Sequence, residues 1–435
     1  MMFACSSIAL DDEMLENIKI EVAQNLTRIR HHASMVLISG NNEIEHWVNM
    51  YHKGKYPRYL DLFEDAMPEV VKKVCPELPF VPSSPSSAGH FLDPQNENYG
   101  DCHYYGVWGG QPIREYRNKH FRYLSEFGFQ SYPCEKTVNE FTLPEDRVMF
   151  SRIMDWHQRS ERGNKFLMQY LTENYKYPTN FGTLLYTTQL IQADAIRYCV
   201  EHLRRNRENE RCMGALYWQL NDIWPVASWA SIDSSGRYKA LQYFAKRFFE
   251  PVLISCREVG EFDCRPNPTM ERTTDYKTTA QLSVNNETLN EVSGTVNWEL
   301  RDGDGKILQS GKQDITVAPL GVVHLEDMDF NKTDVNHNYI SYSFTVDGRV
   351  VSSGTTLFTA PKYYEFKNPN LRYEINGDEL TVYADCYAKS IEVYSLDSDF
   401  ILSDNFFDIN GGSYTVKLLE GELKNIKLRS IYDIR

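Results

Sequence analysis

Two glutamates lie at the ends of short apolar runs of the kind that form buried strands. Glu43 follows Met35–Ile38 and a short polar loop, and Glu126 lies near the end of Phe121–Gly128. In parallel α/β sheets and barrels, catalytic groups lie where strands reach their carboxyl ends. A pair of carboxylates there is the minimal apparatus for glycoside hydrolysis, since one protonates the leaving oxygen while the other attacks or activates water. A lone strand-end glutamate is more often solvated or ion-paired, so the prediction depends on the pair.

Amide and aromatic side chains near the same predicted strand ends strengthen this interpretation. Asn42 directly precedes Glu43, and we expect it to hold the substrate. Trp108 and Trp218 lie at the ends of neighbouring predicted strands. Large rings at such positions can stack on sugar rings, although they can equally fill a hydrophobic core. The sequence leaves both roles of the rings open.

Elements that could position these residues alternate along the first 250 residues. Helical spacing of apolar residues predicts helices over Asp11–His31, Ile44–Val74 with a break near Pro57, Pro144–Tyr175 and Thr183–Arg207. Asp11 or Asp12 is the predicted cap of the first. Short strands separated by helices indicate a parallel barrel or a doubly wound sheet. The five predicted strands are Met35–Ile38, Leu78–Val81, Cys102–Trp108, Phe121–Gly128 and Met213–Trp218.

After Pro251 the pattern changes to strict alternation of apolar and polar residues. Thr295–Leu300 and Tyr339–Val346 are examples, and the turn at Asp302–Gly305 separates two such runs. This pattern is typical of β-sandwiches. A second β unit begins after Ala360. We therefore expect a catalytic α/β domain over 1–250, a β-sandwich over 251–360 and another over 361–435.

Composition restricts the classes of partner. A formal net charge of -14 argues against a nucleic-acid backbone as ligand. No apolar run approaches the roughly 20 residues of a membrane span, and no signal peptide is visible. The 9 cysteines are scattered without a CxxC pair, with Cys256 and Cys264 the closest two, so we interpret all of them as reduced thiols. These features predict a cytoplasmic protein that binds neither nucleic acid nor membrane.

Four segments carry a specific resemblance to one family. Ser39–Glu43 resembles the acid/base segment of the β-mannosidases of glycoside hydrolase family 2, and Ser125–Pro133 resembles their nucleophile segment. Tyr217–Pro225 is similar to their last barrel strand, and Ser403–Asp408 to part of their C-terminal immunoglobulin-like domain. The similarity extends along essentially the whole chain in the family's order.

The resemblance implies a retaining exo-β-mannosidase that needs no metal or other cofactor. Its catalytic domain would be a (β/α)₈ TIM barrel, followed by two immunoglobulin-like β-sandwich domains. Glu43 would be the general acid/base and Glu126 the nucleophile. Asn42 would hydrogen-bond the 2-hydroxyl of the sugar, and Trp218 would form the floor of the subsite for the terminal mannose.

Two further residues match a ring-rich segment near the pocket of the family, and their roles are less defined. They are His103 and Trp108, which we expect to contact substrate. The substrate would be a β-mannoside or a manno-oligosaccharide.

The start of the chain resembles a later part of the family pattern. Met1–Cys5 is similar to the stretch just after the third barrel strand, so the resemblance implies a partial barrel without the N-terminal domains and first three strands. A barrel cannot close on five of eight strands, and open edges expose unpaired backbone groups. We therefore expect the chain alone to be unstable or inactive, or to act with a separately made N-terminal half or as a homo-oligomer.

Two alternatives to a β-mannosidase remain open from the sequence. The first is another family 2 β-glycosidase, such as a β-glucosaminidase, β-galactosidase or β-glucuronidase. The second is an inactive remnant that only binds carbohydrate.

Overall fold

The computed structural model describes residues 3–5, 10–52, 57–261 and 277–434, in two compact units. The first unit comprises residues 1–105, 118–127 and 206–217, and the second comprises 106–117, 128–205 and 218–435. Helices and short parallel strands make up the first unit, whereas the C-terminal part of the second is rich in antiparallel sheet. Within the described ranges, no helix is both long enough and apolar enough to cross a membrane.

Helices of the first unit follow the predicted pattern closely. Asp11 accepts a hydrogen bond from the backbone N–H of Met14 at 2.8 Å, which confirms it as the cap of the first helix. Buried residues of that helix, such as Val22, pack in one apolar cluster with Val71. The predicted helical stretch from Ile44 is also confirmed, but it consists of several pieces. The elements are α1 (Asp12–Ile29), α2 (Ile44–His52), α3 (Pro57–Leu60), a π-helix (Asp61–Ala66) and α4 (Met67–Val74).

Five short parallel strands confirm the predicted strand positions in this unit. They are β1 (Ile38–Ser39), β2 (Phe80–Val81), β3 (Cys102–Tyr104), β4 (Leu124–Phe127) and β5 (Ala215–Tyr217). β1 pairs with β2, and β3, β4 and β5 form a sheet in that order. The expectation of a buried strand over Met35–Ile38 was wrong for Val36 and Leu37, which are exposed. Pairing begins only at Ile38, whose N–H donates to the carbonyl of Pro79 at 3.0 Å.

The helices of the second unit depart from the predicted pattern between residues 144 and 175, and two further helices, at 135–141 and 240–248, were not predicted. The single helix predicted over Pro144–Tyr175 is wrong, because the segment forms a short 3₁₀ turn and two separate helices. Ser151 begins a new helix by accepting the N–H of Met154 at 3.3 Å. The helices are α5 (Glu135–Phe141), α6 (Arg152–Trp156), α7 (Gly163–Asn174), α8 (Phe181–Arg205) and α9 (Ala240–Phe248).

Antiparallel sheets after Pro251 confirm the predicted change to β structure. One sheet contains β6 (Val252–Val259), β7 (Thr279–Asn286), β10 (Val322–His324) and β11 (Met328–Asp329). Another has the order β13-β12-β8-β9, from β8 (Val292–Asp302), β9 (Ile307–Val317), β12 (Asn338–Val346) and β13 (Arg349–Leu357). Apolar side chains of both sheets share one buried core, which includes Val284, Val296 and Phe344.

The last sheet has its own apolar core around Leu380, Ile391 and Val416. Its strands are β14 (Arg372–Asn376), β15 (Glu379–Tyr394), β16 (Phe400–Leu402), β17 (Phe407–Gly421) and β18 (Lys427–Arg429). β15 is 16 residues long, and its pairing with β17 has two register shifts. The eight described cysteines are free thiols, and Cys264 lies outside the described residues. The domain boundaries at 250 and 360 stay a prediction.

Candidate active site

The loop that carries Glu43 is held by a buried asparagine. Asn41 is completely buried, and its side-chain oxygen accepts the N–H of Ile44 at 3.0 Å, which caps α2. Its amide nitrogen donates to the carbonyl of Pro82 at 2.9 Å, and the Ser83 hydroxyl donates to its oxygen at 2.7 Å. These bonds connect the end of β1 to the segment after β2, so the position of Glu43 is fixed from two strands.

Glu43 accepts hydrogen bonds from three different side chains. His103 Nδ1 lies 2.9 Å from Glu43 Oε1. Trp47 Nε1 and Cys5 Sγ each donate to Oε2 at 3.2 Å. The Glu43 side chain is only 16% exposed, so these donors replace most of its contact with water.

Glu126 lies on β4 beside the same histidine. Tyr105 donates its hydroxyl to Glu126 Oε1 at 2.8 Å, and His103 Nδ1 is 3.8 Å from Oε2. One carboxylate oxygen of Glu43 and one of Glu126 lie within 4.8 Å of each other. The sequence-predicted pair is therefore brought together, with the ring of His103 between the two carboxylates.

A chain of hydrogen bonds extends from His103 away from the pair. The second ring nitrogen, Nε2, lies 3.0 Å from the Ser84 hydroxyl oxygen, and that hydroxyl lies 2.6 Å from Asp101 Oδ2. Ser125 also donates to Asp101 Oδ2, at 2.5 Å. Because His103 is contacted at both nitrogens and its side chain is 2% exposed, the ring has little freedom to turn.

The two carboxylates differ in their affinity for a proton. Burial raises the pKa of Glu43, but the hydrogen bonds from His103, Trp47 and Cys5 outweigh it and lower the pKa to about 2. Burial raises the pKa of Glu126, and the charge of Glu43 adds to the rise, while His103 and Tyr105 oppose it. Without substrate, Glu126 therefore keeps a proton more readily than Glu43.

Glu43, His103 and Glu126 could also hold a cation. Each offers one ligand atom, and the three atoms lie within 4.8 Å of one another. Two carboxylates and an imidazole suit several divalent transition metals. The 2.9 Å contact between His103 and Glu43 is equally well explained by a hydrogen bond. Removal of metal ions is therefore a necessary control in any activity measurement.

The other sequence-predicted residues have different surroundings. Asn42 donates its amide to Cys5 Sγ at 3.5 Å beside Glu43. Trp108 and Trp218 belong to the second unit. Trp108 is buried and packs edge-on against Phe129 and Trp229, whereas Trp218 is 45% exposed. Contact of Asn42, His103, Trp108 and Trp218 with substrate stays a prediction.

Sequence reasoning missed most of the residues that hold the two carboxylates. Cys5, Asn41, Trp47, Ser84 and Tyr105 each contact the pair or its supports. Only Tyr105 lay in a segment singled out for its rings, two residues beyond His103. Asn41 lay inside the Ser39–Glu43 segment and Trp47 lies one helical turn after Glu43, but neither was picked out. Cys5 and Ser84 gave no local signal, because they contact Glu43 and His103 from distant positions in the chain.

Comparisons with known proteins agree with the family suggested by the motifs. Residues 278–363 match the family model of a mannosidase Ig/CBM-like domain. β-Mannosidase B of Emericella nidulans is 28% identical over 395 residues, which is 85% of this chain and 46% of that protein. The β-mannosidase of Capra hircus is 32% identical over 283 residues, covering 58% of this chain and 32% of that protein.

A solved structure shares the fold of almost the whole chain. The β-D-mannosidase of Dictyoglomus thermophilum superposes with a TM-score of 0.83 at 25% identity, over 99% of this chain and 52% of that one. The chain is a relative of the β-mannosidases of glycoside hydrolase family 2. It matches the C-terminal portion of these β-mannosidases and spans about half the length of the curated relatives.

One further structural neighbour shares only the fold with this relative of the β-mannosidases. The exo-chitosanase of Amycolatopsis orientalis superposes with a TM-score of 0.69 at 16% identity, covering 97% of this chain and 54% of that one. The mixed α/β and sheet-rich architecture thus accommodates glycosidases whose names state different substrates.

Proposed function

We propose that the chain carries the catalytic carboxylates of a retaining exo-β-mannosidase, which removes terminal non-reducing β-D-mannose from β-mannosides and manno-oligosaccharides. The approach of Glu43 and Glu126 to within 4.8 Å supports this proposal most directly. Retaining glycosidases hold their carboxyl groups about 5–5.5 Å apart, whereas inverting enzymes need a wider gap for water. The likeness to named β-mannosidases supports the choice of mannose.

The two carboxylates have different tasks in the proposed reaction. Glu126 attacks the anomeric carbon and forms a glycosyl ester, while the bond to the leaving oxygen breaks and that oxygen takes a proton from Glu43. Water then attacks the ester carbon, Glu43 accepts a proton from this water, and Glu126 leaves as a carboxylate. Mannose is released with its β configuration.

The source of the proton on Glu43 needs explanation, because its pKa is about 2 in the free site. His103 Nδ1, at 2.9 Å from Oε1, is the nearest nitrogen from which a proton can reach this carboxylate. We therefore assign His103 the role of positioning Glu43 and sharing a proton with it. The contacts of Nε2 with Ser84, and of Ser84 with Asp101, support the ring from behind.

The remaining site and fold assignments belong to the same proposal. Asn42 would bond the 2-hydroxyl, Trp218 would support the terminal mannose, and Trp108 would complete the pocket. The five parallel strands would be part of a (β/α)₈ barrel. Residues 251–360 and 361–435 would be immunoglobulin-like domains, and the partner of the chain would be an N-terminal half or a second copy.

Hydrolysis of p-nitrophenyl β-mannoside tests the proposal. The chain is assayed alone and with a co-expressed N-terminal half of a related β-mannosidase, before and after treatment with a chelator. We expect hydrolysis with retention, seen by NMR of the first-formed sugar, that survives chelation and is lost in Glu126→Gln. Faster hydrolysis of another aryl β-glycoside would change the substrate assignment. No hydrolysis of any of them, in either form, would contradict the proposal.

A further inference from the structure

The second unit contains a cavity of about 750 Å³ that takes no part in the proposed hydrolysis. This volume lies within the range of small-ligand sites in proteins. Side chains from α8, α9 and the sheet β13-β12-β8-β9 line it together with residues of β17. All of these elements belong to the second unit.

One wall of the cavity is a row of polar side chains with open hydrogen-bonding capacity. Asn297, Ser343 and Ser353 are direct neighbours on three adjacent strands. Strands lie about 4.8 Å apart, so the row is about 10 Å long. Neither serine hydroxyl has a hydrogen-bond partner among the described residues. Within the described part of the chain, the Asn297 side chain makes one long hydrogen bond, 3.4 Å, to the carbonyl of Thr295 on its own strand.

In the next row on the same sheet face, the polar side chains already have hydrogen-bond partners within the protein. Ser341 accepts a hydrogen bond from Asn410 at 2.9 Å, and Thr355 lies 2.6 Å from the Tyr387 hydroxyl. Those partners come from the C-terminal sheet, which therefore covers this second row. The Asn297 row is left open where the C-terminal sheet does not reach it.

Most charged groups around the cavity form ion pairs, either with one another or with a neighbouring residue. Arg197 contacts Asp194 at 3.1 Å, and Arg247 contacts Asp404 at 2.9 Å. Lys389 contacts Asp408 at 3.0 Å, Lys246 donates to the carbonyl of Ser403 at 2.7 Å, and Glu299 is paired with Arg301. Lys246 and Glu250 also line the cavity and have no ion pair among the described residues, but their charges are opposite. The lining therefore offers mainly hydroxyl and amide groups, with no excess of positive charge that would favour an anionic ligand.

An aromatic ring completes the chemistry of the cavity. Tyr414 lines it, is 40% exposed, and directs its hydroxyl to Asp404 at 3.2 Å. The hydroxyl is thereby fixed and the ring remains available for apolar contact. The polar row and the Tyr414 ring together suit an uncharged ligand. Such a ligand would have many hydroxyl groups and also apolar C–H faces.

We propose that this cavity binds a segment of a neutral oligosaccharide. The inference is independent of the proposed hydrolysis, since it depends only on residues of the second unit. A carbohydrate chain would place its hydroxyl groups along Asn297, Ser343 and Ser353 and a ring face against Tyr414. The site would hold polymeric substrate or product apart from the carboxylate pair.

Binding is measured by calorimetry with manno-oligosaccharides, in a Glu126→Gln background that prevents turnover. Ser353→Trp fills the cavity. It should weaken the component of oligosaccharide binding that belongs to the cavity, as distinct from the carboxylate pair, by at least about tenfold. Ser310→Trp places the same ring at an exposed serine on β9 that does not line the cavity, and should leave that component unchanged.

A conservative variant covers the case in which tryptophan disturbs folding. Ser343→Ala removes only the hydroxyl oxygen, and should weaken the component about three- to tenfold. Equal isotherms for Ser353→Trp and Ser310→Trp, or no oligosaccharide binding at all, would overturn the proposal. Tighter binding of a sulfated oligosaccharide than of the neutral one would also overturn it, because the lining would then favour charge.

Discussion

Glu43 in the first unit and Lys239 in the second are both ionisable groups removed from water, but they respond in opposite ways. Burial favours the uncharged form of each. Glu43 accepts hydrogen bonds from three side chains, which overcome burial and keep it charged. Lys239 is fully buried, and among the described residues it makes one long hydrogen bond, 3.4 Å to the carbonyl of Ser228. The number of donors or acceptors around a buried charge therefore decides its state.

The pKa of Lys239 shows the result of this poor solvation. Burial lowers it to about 8, and the nearby acidic groups Asp222, Cys134 and Asp233 only partly oppose the shift. At neutral pH the folded chain thus carries a buried ammonium group at a cost in stability. The same reasoning makes the Glu43 anion stabilising at neutral pH, a contribution lost as pH falls through about 2.

Removal of the Glu43 carboxylate, which is stabilised by three hydrogen bonds, gives the largest expected effect. Glu43→Ala should lower kcat/KM about 10⁴-fold for substrates with poor leaving groups, because the leaving oxygen then lacks a proton donor. Aryl mannosides with acidic leaving groups should lose far less. Azide should restore turnover and give β-mannosyl azide, since the ester with Glu126 still forms and azide attacks it with inversion.

Glu126→Ala is the matched variant for this assignment. Azide should then attack the substrate directly and give α-mannosyl azide. If the two products were exchanged between the variants, Glu126 would be the acid/base and Glu43 the nucleophile. That result would agree with the order of the two pKa values in the free site.

Replacement of Lys239, whose buried ammonium group has few acceptors, tests the second member of the comparison. Lys239→Met should raise the free energy of unfolding at pH 7 by up to about 3 kcal/mol, from a pKa that falls from 10.5 to about 8. Between these pH values the unfolded chain binds more protons than the folded chain, so stability of the unmutated protein rises with pH. Denaturant titrations should show that the variant lacks this rise. An unchanged slope would mean that Lys239 is solvated in the folded chain.

Loss of a single strong donor to Glu43 should have an intermediate effect. His103→Gln removes the 2.9 Å contact and the fixed ring, and should lower kcat/KM about 10²-fold. Because His103 lowers the pKa of Glu43, that pKa should rise from about 2 towards its ordinary value. The acid limb of the pH profile of kcat/KM should move upward accordingly. A uniform loss at all pH values would indicate a purely structural role.

The sequence predicted the two neighbouring carboxylates better than the groups that hold them. Glu43 and Glu126 could be predicted because strand ends in α/β folds have a local pattern and because their segments resemble a family. The burial of Lys239 and the contact of Cys5 with Glu43 could not, since each depends on residues distant in the chain. The length of β1 was overestimated for the same reason, as pairing with β2 determines where the strand begins.

The smallest expected effect comes from Trp47, the weaker donor to Glu43. Its replacement tests whether each additional hydrogen-bond donor lowers the pKa of Glu43 further. Trp47→Phe keeps a ring that can stack on Tyr51, as the indole does at 5.0 Å, but removes the N–H that donates to Glu43 at 3.2 Å. The pKa of Glu43 should rise, by less than in His103→Gln, and kcat/KM should fall about three- to tenfold. Tyr51→Phe is the control, because it leaves the ring pair and all donors to Glu43 in place. An acid limb of the kcat/KM profile that is unchanged in Trp47→Phe would mean that His103 alone keeps Glu43 charged. The difference between Glu43 and Lys239 would then come from one strong hydrogen bond and not from the number of donors.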